Sequence, residues 1–484
     1  MDKINFISQS TSLILVMTVS LIFTLIGLFY SKKYQGISNY LIANRSIEFF
    51  SLTTSLVASA LGAWILFGPA SAATWGGLGA VIGYALGTAF PMIFLIFLGE
   101  KIRKEFPNGS TLIEFLRKKF KKSLFKLILI MCLFYMFIFL CAEVTAIAML
   151  INYISGTPFW ITSLIILIAT LTYTLYGGLR ASIFTDTIQS VIILLLLLIS
   201  AVYLTSFLGD KFSFNFISKQ NPQLLSLDYI PNYTSGLTFF IAVAATNLFH
   251  QGNWQRVYSA KNNKVLKKSL IVSFLLIIPI VLFMGFCGLV AVSINPKVVP
   301  DLGFFYLLLN DQTQFLSIII IVLGLSLTIS TVDTLVNAIS SLIIVDTKAT
   351  FGIKSNFNYF KISKYFVIGL SIVAFMIASK GFSVLYLFLL ADLFCCAFVL
   401  TVFYRFYNKK LNEKTAYFAI IFGLFGGLLL FPAPDFSMSL LVGIILPTEY
   451  FPNFIIQSLL FLSFLVATLA PSIVILSYDS IKRR

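Results

Sequence analysis

Histidine is all but missing: there is one in 484 residues. Charge is scarce too, at 11% of the chain, against about 25% in soluble domains. With so few ionisable groups, and no Glu, His and Asp at metal-ligand spacing, a membrane-embedded enzyme is a poor reading. The five cysteines (Cys132, Cys141, Cys287, Cys395 and Cys396) all fall in apolar runs. They lack the spacing of a disulfide framework or a zinc site and read as small core residues. No stretch is long and polar enough for a separate soluble domain, and no nucleotide-binding loop stands out, which excludes an appended kinase or ATPase module.

What the chain has instead is hydrophobic surface, 59% of residues with a mean hydropathy of +0.98. No water-soluble fold hides that much, so the expected class is an all-α polytopic membrane protein. Apolar runs long enough to cross ~30 Å of hydrocarbon recur thirteen times, from Ser12–Tyr30 to Phe454–Tyr478. The first lacks a small-residue cleavage site and reads as a retained helix rather than a signal peptide. With the N-terminus outside and the runs alternating, only Lys3, Lys211, Lys219, Lys297 and Lys380 of the 34 basic residues are left outside. That separation follows the positive-inside rule. It also accounts for the net charge of +16 as orientation signals beside an anionic leaflet, not as a nucleic-acid surface.

Two runs carry Gly, Pro or polar groups at mid-depth, where freed backbone groups cannot face lipid. The second reads Ser55 to Ala70 through Gly62, Trp64, Gly68 and Pro69. The seventh reads Ala244 to Arg256 through Asn247, His250, Gln251, Gly252 and Trp254. They stand five spans apart. Matched interruptions point to an inverted-repeat transporter with a midplane site, although small residues also serve plain helix packing. Unwinding frees carbonyl oxygens for a small hard cation, and the ninth run offers adjacent hydroxyls at Ser330 and Thr331. Such a pair equally well bonds back to its own helix.

Four carboxylates fall within the runs: Glu143, Asp186, Asp333 and Asp392. Each costs at least ~2.5–3.5 kcal/mol on insertion scales unless it is paired or functional. Asp186 reads either as an ion-path residue or as a partner of Arg180 or a helix cap. Asp333, one turn from Ser330, tunes that site or bonds a neighbouring helix. Glu143 and Asp392 either meet an ammonium group of a substrate or stay protonated as neutral acids, with cavity contact favoured for Glu143. Asn247 and Gln251 can both donate and accept toward a neutral solute. Trp64 is expected to line the cavity, Trp254 to anchor at the interface, and His250 to be a packing residue.

Three passages then carry a family resemblance. Residues 173–189, from Tyr173 through Gly177, Gly178 and Arg180 to Asp186 and Gln189, resemble the signature of the sodium/solute symporter family. Ser330-Thr331-Val332-Asp333-Thr334 is similar to that family's sodium-site stretch, and His250 to Arg256 to a segment of its urea-type branches. The resemblance implies a leucine-transporter-type 5+5 inverted repeat. Residues 1–40 would hold a peripheral first helix, 41–209 the first repeat, 210–233 an external loop, 234–408 the second repeat, and 409–484 two peripheral helices.

The resemblance also implies sodium as coupling ion, bound by backbone oxygens of Ala58, Leu61 and Leu327 with the hydroxyls of Ser330 and Thr331. Asp186 and Asp333 would lie on the ion path, and Trp64, Glu143, Asn247, Gln251 and Asp392 at the substrate. Ala60 and Ala244 depart from the aspartate and tryptophan of sodium/proline relatives, which argues against proline. The expectation is therefore a monomeric sodium-coupled importer in the inner or plasma membrane, with N-terminus outside and C-terminus inside. It would move a urea-like, amine-like or amino-acid solute and need no organic cofactor. A proton-coupled version using Glu143 or Asp392, and a passive channel, are the rival readings.

Overall fold

The apolar runs become helices because a bilayer leaves backbone N–H and C=O groups no other partner. The computed structural model describes residues 6–309, 314–347, 358–405, 412–434 and 452–483, with four positions between 436 and 441. Lys3, Lys348, Lys354, Lys409, Lys410, Arg484 and the end of the eleventh run at Phe406 lie outside the described residues.

Among the described residues, fourteen α-helices have eight residues or more: α1 (Gln9–Lys33), α2 (Phe49–Ala60), α3 (Gly68–Glu105), α4 (Leu112–Lys119), α5 (Lys122–Ser155), α6 (Phe159–Leu208) and α7 (Ile230–Phe249), then α8 (Gln251–Ser259), α9 (Asn263–Ile294), α10 (Gln314–Leu342), α11 (Tyr359–Ala378), α12 (Val384–Tyr404), α13 (Glu413–Leu430) and α14 (Leu459–Arg483). Side-chain caps set several starts. At α4, Thr111 Oγ1 accepts from Glu114 N while Glu114 Oε2 accepts from Ser110 N, and Asn262 and Ser383 accept from the third residue of α9 and α12.

By length and composition, ten helices among the described residues could cross a membrane, fewer than the thirteen runs. The difference has two causes. First, α6 contains two crossings, and α3 joins the end of the second run (68–76) to the whole of the third. At 38 residues α3 would extend ~57 Å if straight, nearly twice the ~30 Å core. It folds back at Gly77, φ 63°, so that the Trp64 and Tyr84 rings stack 5.4 Å apart on either side of the turn. Likewise α6 breaks at Gly178, φ 60°, and Tyr173 and Thr185 from its two arms reach the same carboxylate. A β-carbon at Gly178 would sit 2.4 Å from the Tyr40 ring, so only glycine fits. Second, the second run is divided between α2 and the first arm of α3, and the seventh between α7 and α8.

α10 occupies the centre and is buried along almost its whole length, between α5, α6 and α2. The returning arm of α3 lies directly on α7. Gly79, Gly83 and Gly87, four residues apart, form the contact. Added β-carbons would fall 1.7 Å from Asn232 O, 2.0 Å from Gly236 O and 2.7 Å from Phe239 O. Small residues at this spacing let backbones touch, which replaces the hydrophobic drive that lipid cannot supply. At the end of α3, Arg103 donates to the carbonyls of Val257 and Ala260, and Ile47 pairs with the strand-like backbone at Ala260.

Gly83→Leu should therefore lower stability by at least the ~1–3 kcal/mol of an overpacked core, read as a loss of melting temperature in detergent. Gly369→Ala, where nothing lies within 4 Å of the new methyl, should leave it unchanged. Equal melting of the two variants would contradict this contact.

Candidate functional site

The second run is broken where its composition indicates. α2 stops at Ala60, Leu61 turns out of the helix (φ −109°, ψ 79°), and Gly62 is extended before a short 3-10 turn at Ala63–Leu66. Leu61 N still bonds back to Val57 O, but among the described residues no backbone N–H reaches the carbonyls of Ala58 or Leu61. These oxygens are the kind of bare ligand that an unwound membrane helix provides. The seventh run breaks at His250 (φ −60°, ψ 106°), between α7 and α8. The Trp254 indole donates to Leu248 O at 2.7 Å across that break. Trp254 is fully buried, which corrects its reading as an interface anchor.

One turn before Ala58, Ser55 Oγ donates to Asp186 Oδ2 at 2.6 Å, while Ser330 Oγ donates to Oδ1 of the same carboxylate at 2.5 Å. The middle of α2, the second arm of α6 and the middle of α10 thus meet at one acid. Its counter-charge is Arg256 of α8, whose Nη2 lies 2.7 Å away with both side chains wholly buried. Arg256 also donates to Ser55 Oγ (2.7 Å), Thr334 Oγ1 (2.8 Å) and Gly252 O (3.0 Å). Two sequence expectations are corrected here. Arg256 is no loop charge, and Asp186 does not pair with Arg180, which instead bonds Ala43 O and Ser46 Oγ.

Asp333 lies beside this node and accepts from Tyr173 Oη (2.5 Å), Ser182 Oγ (2.7 Å) and Thr185 Oγ1 (3.2 Å). It ties both arms of α6 to α10, as the neighbouring-helix reading has it. Thr331 Oγ1 donates to its own helix at Leu327 O, 3.1 Å, which leaves its lone pairs open. Asp346, just past the ninth run, is a further buried carboxylate, held by Thr111 at 2.8 Å.

A second feature adjoins the node. A narrow cavity between the two broken runs is lined by Ser59, Ala60, Trp64, Tyr84, Phe139, Val243, Thr246, Asn247, His250, Phe388 and Asp392. Of the expected substrate residues, Trp64, Asn247 and Asp392 line it. Glu143 and Gln251 do not. Glu143 Oε2 accepts from Ala63 N at 2.9 Å and its other oxygen lies over Gly62, where a β-carbon would sit 2.2 Å away. Its carboxylate caps the resumed helix. Gln251 Oε1 accepts from Leu112 N at 3.1 Å and so anchors the start of α4.

His250, read as packing, lines the cavity with neither ring nitrogen bonded among the described residues. Its place at the break was the available signal. Phe139, one turn before Glu143 on the same face of α5, and Thr246, beside Asn247, were equally within reach of spacing arguments. Tyr84 and Phe388 carry no local mark that separates them from core aromatics.

The family model for the sodium:solute symporter family matches residues 40–423. The chain is 27% identical over 384 residues to a spermidine transporter of Candida albicans, covering 78% of this chain and 71% of that protein. It is 26% identical over 308 residues to the sodium/glucose cotransporter of Vibrio parahaemolyticus, covering 57% of this chain and 55% of that one. Among solved structures, the substrate-bound outward-open state of a Na+-coupled sialic acid symporter superposes with a TM-score of 0.71. The identity there is 16%, over 96% of this chain and 98% of that one. Its family and fold are those of transporters rather than enzymes, and the fold is the leucine-transporter type. The chain is a multi-pass membrane protein that belongs to the sodium:solute symporter family.

Proposed function

We propose that this protein is a sodium-coupled secondary active symporter that imports a small organic solute by alternating access. Two observations carry the reading: the Ala58 and Leu61 carbonyls at the break have no backbone donor among the described residues, and the Asp186 carboxylate joins α2 to Ser330 of α10. Ser330 shares the Asp186 carboxylate with Ser55, one turn from Ala58. Sodium takes the backbone oxygens of Ala58, Leu61 and Leu327 and the hydroxyls of Ser330 and Thr331. Because a hydroxyl can donate to Asp186 while its lone pairs face a cation, the bond already present does not compete with that role. Asp186 and Asp333 supply the negative potential along the ion's inward path.

Residues 41–209 and 234–408 act as the two inverted repeats, joined by the external segment 210–233. Residues 1–40 and 409–484 are peripheral. The protein works as a monomer in the inner or plasma membrane, N-terminus outside and C-terminus inside. Its solute is urea-like, amine-like or an amino acid; similarity to a spermidine transporter supports a nitrogenous compound. Sodium stabilises the outward-open state and thereby raises solute affinity, a coupling that is reciprocal. One sodium entering down 100 mV releases ~2.3 kcal/mol, and a tenfold gradient adds ~1.4. That sustains several hundred-fold accumulation.

Uptake into proteoliposomes with and without a sodium gradient tests this. Ser330→Ala with Thr331→Ala should raise the half-saturating sodium concentration tenfold or more, because two of five ligands are lost. An unchanged value would remove the assigned site, and uptake driven equally well by a proton gradient alone would remove sodium coupling. The buried ion pair gives a separate check. Arg256→Gln strands Asp186 and should cost about 3–5 kcal/mol, read in thermal unfolding. Combining it with Asp186→Asn should recover much of the loss, and no recovery would contradict the pairing.

A further inference from the structure

The cavity narrows the solute to one chemical class. We propose that the transported solute is a small organic cation without a carboxylate, an alkylammonium compound held by Asp392 between aromatic walls. The proposal rests on the symport reading and names the substrate of that same cavity.

Charge is the first argument. Asp392 is the one ionised-type side chain on the cavity wall among the described lining residues. Its Oδ1 accepts from Thr246 Oγ1 at 2.6 Å, and no Lys or Arg lines the space with it. Arg256, the buried cation nearby in the fold, is committed to Asp186. A carboxylate in the bilayer interior without a counter-ion is costly, and a cationic solute removes that cost only while it is bound. A neutral amide such as urea leaves it in place.

The walls supply the second argument. Trp64 and Tyr84 stack at 5.4 Å, tilted by 15°, and Phe139 and Phe388 meet edge to face at 4.7 Å. All four border the cavity. Tyr84 is stacked between Trp64 and Phe239 and so backs Trp64; aromatic rings beside a carboxylate are the surroundings in which alkylammonium groups are recognised, since the ring quadrupole attracts a desolvated cation.

The third argument excludes amino acids. In transporters with discontinuous helices, a substrate carboxylate docks on the N–H groups that open the resumed half-helix. Here the Ala63 N–H is already taken by Glu143, and Gly62 is the residue that lets the carboxylate come so close. The chain places its own carboxyl group at that position. A zwitterion would bring a carboxylate into a cavity that offers no Lys or Arg for it. The unbonded ring nitrogens of His250 and the amide of Asn247, whose Nδ2 is spent on Val243 O, leave polar contacts for a hydroxyl or N–H on the solute.

Thermal stabilisation of the purified full-length protein tests the class. The probes are choline and ethanolamine as cations, 3,3-dimethyl-1-butanol as the uncharged isostere of choline, urea as neutral amide and L-proline as zwitterion, each in sodium and in potassium. The expected result is stabilisation by at least one of the two cations and by none of the other three. Asp392→Asn should weaken the cation's apparent affinity tenfold or more while sodium alone still stabilises that variant. Stabilisation by urea, proline or the isostere, cation binding unchanged in Asp392→Asn, or no stabilisation by either cation would overturn the proposal. Loss of the sodium effect in wild-type protein, with cation binding intact, would instead refute the symport reading and leave the cation site standing.

Discussion

A helix interrupted inside a bilayer must satisfy the backbone groups it frees, and this constraint organises the molecule. At the second run the freed N–H of Ala63 is met by Glu143, a side chain carried by another helix for that purpose. The freed carbonyls of Ala58 and Leu61 are left without a backbone donor. The asymmetry is informative. A break that needed only to be closed would be satisfied at both ends; here the N–H end is met and the oxygens stay open, the arrangement that the proposed cation site uses. The seventh run solves the same problem differently, with the Trp254 indole spanning the break to Leu248 O.

The buried Asp186–Arg256 pair is the second organising element. Its bonds reach α2 through Ser55 and α10 through Ser330 and Thr334. One ion pair therefore joins α2, α6, α8 and α10. Buried pairs are weak contributors to net stability but costly to break singly. That combination suits a node which is to be remade as a unit instead of loosened. The cavity lies against the same two breaks, so whatever fills it and whatever occupies the carbonyl site act on shared backbone. Linkage between the two ligands then needs no long pathway.

Much of this was legible in the sequence. Hydropathy and the asymmetry of lysine and arginine yielded the crossings, and Gly62 and His250 marked both breaks. The crossings fused at Gly77 and Gly178 were still countable, because the polar and glycine-rich stretches there end one apolar run and begin the next. Side-chain destinations were less accessible. Arg256 looks like any basic residue after an apolar run, and only the tertiary arrangement shows it buried on Asp186. Glu143 and Gln251 were read as facing a solute because polar residues at depth invite that reading. In three dimensions their partners are backbone N–H groups of Ala63 and Leu112, supplied by segments distant in sequence. Tyr84 and Phe388 reach the cavity through helix packing that no local pattern encodes.

The central claim is that an alkali cation rests on bare peptide oxygens at the second-run break. Anomalous scattering from crystals in which thallium(I) replaces sodium measures this most directly. The account predicts a single strong peak within coordination distance of the Ala58 and Leu61 carbonyls and of Ser330 Oγ, abolished by excess sodium. A map with no peak there, or with the ion seated on Asp392 instead, would contradict it.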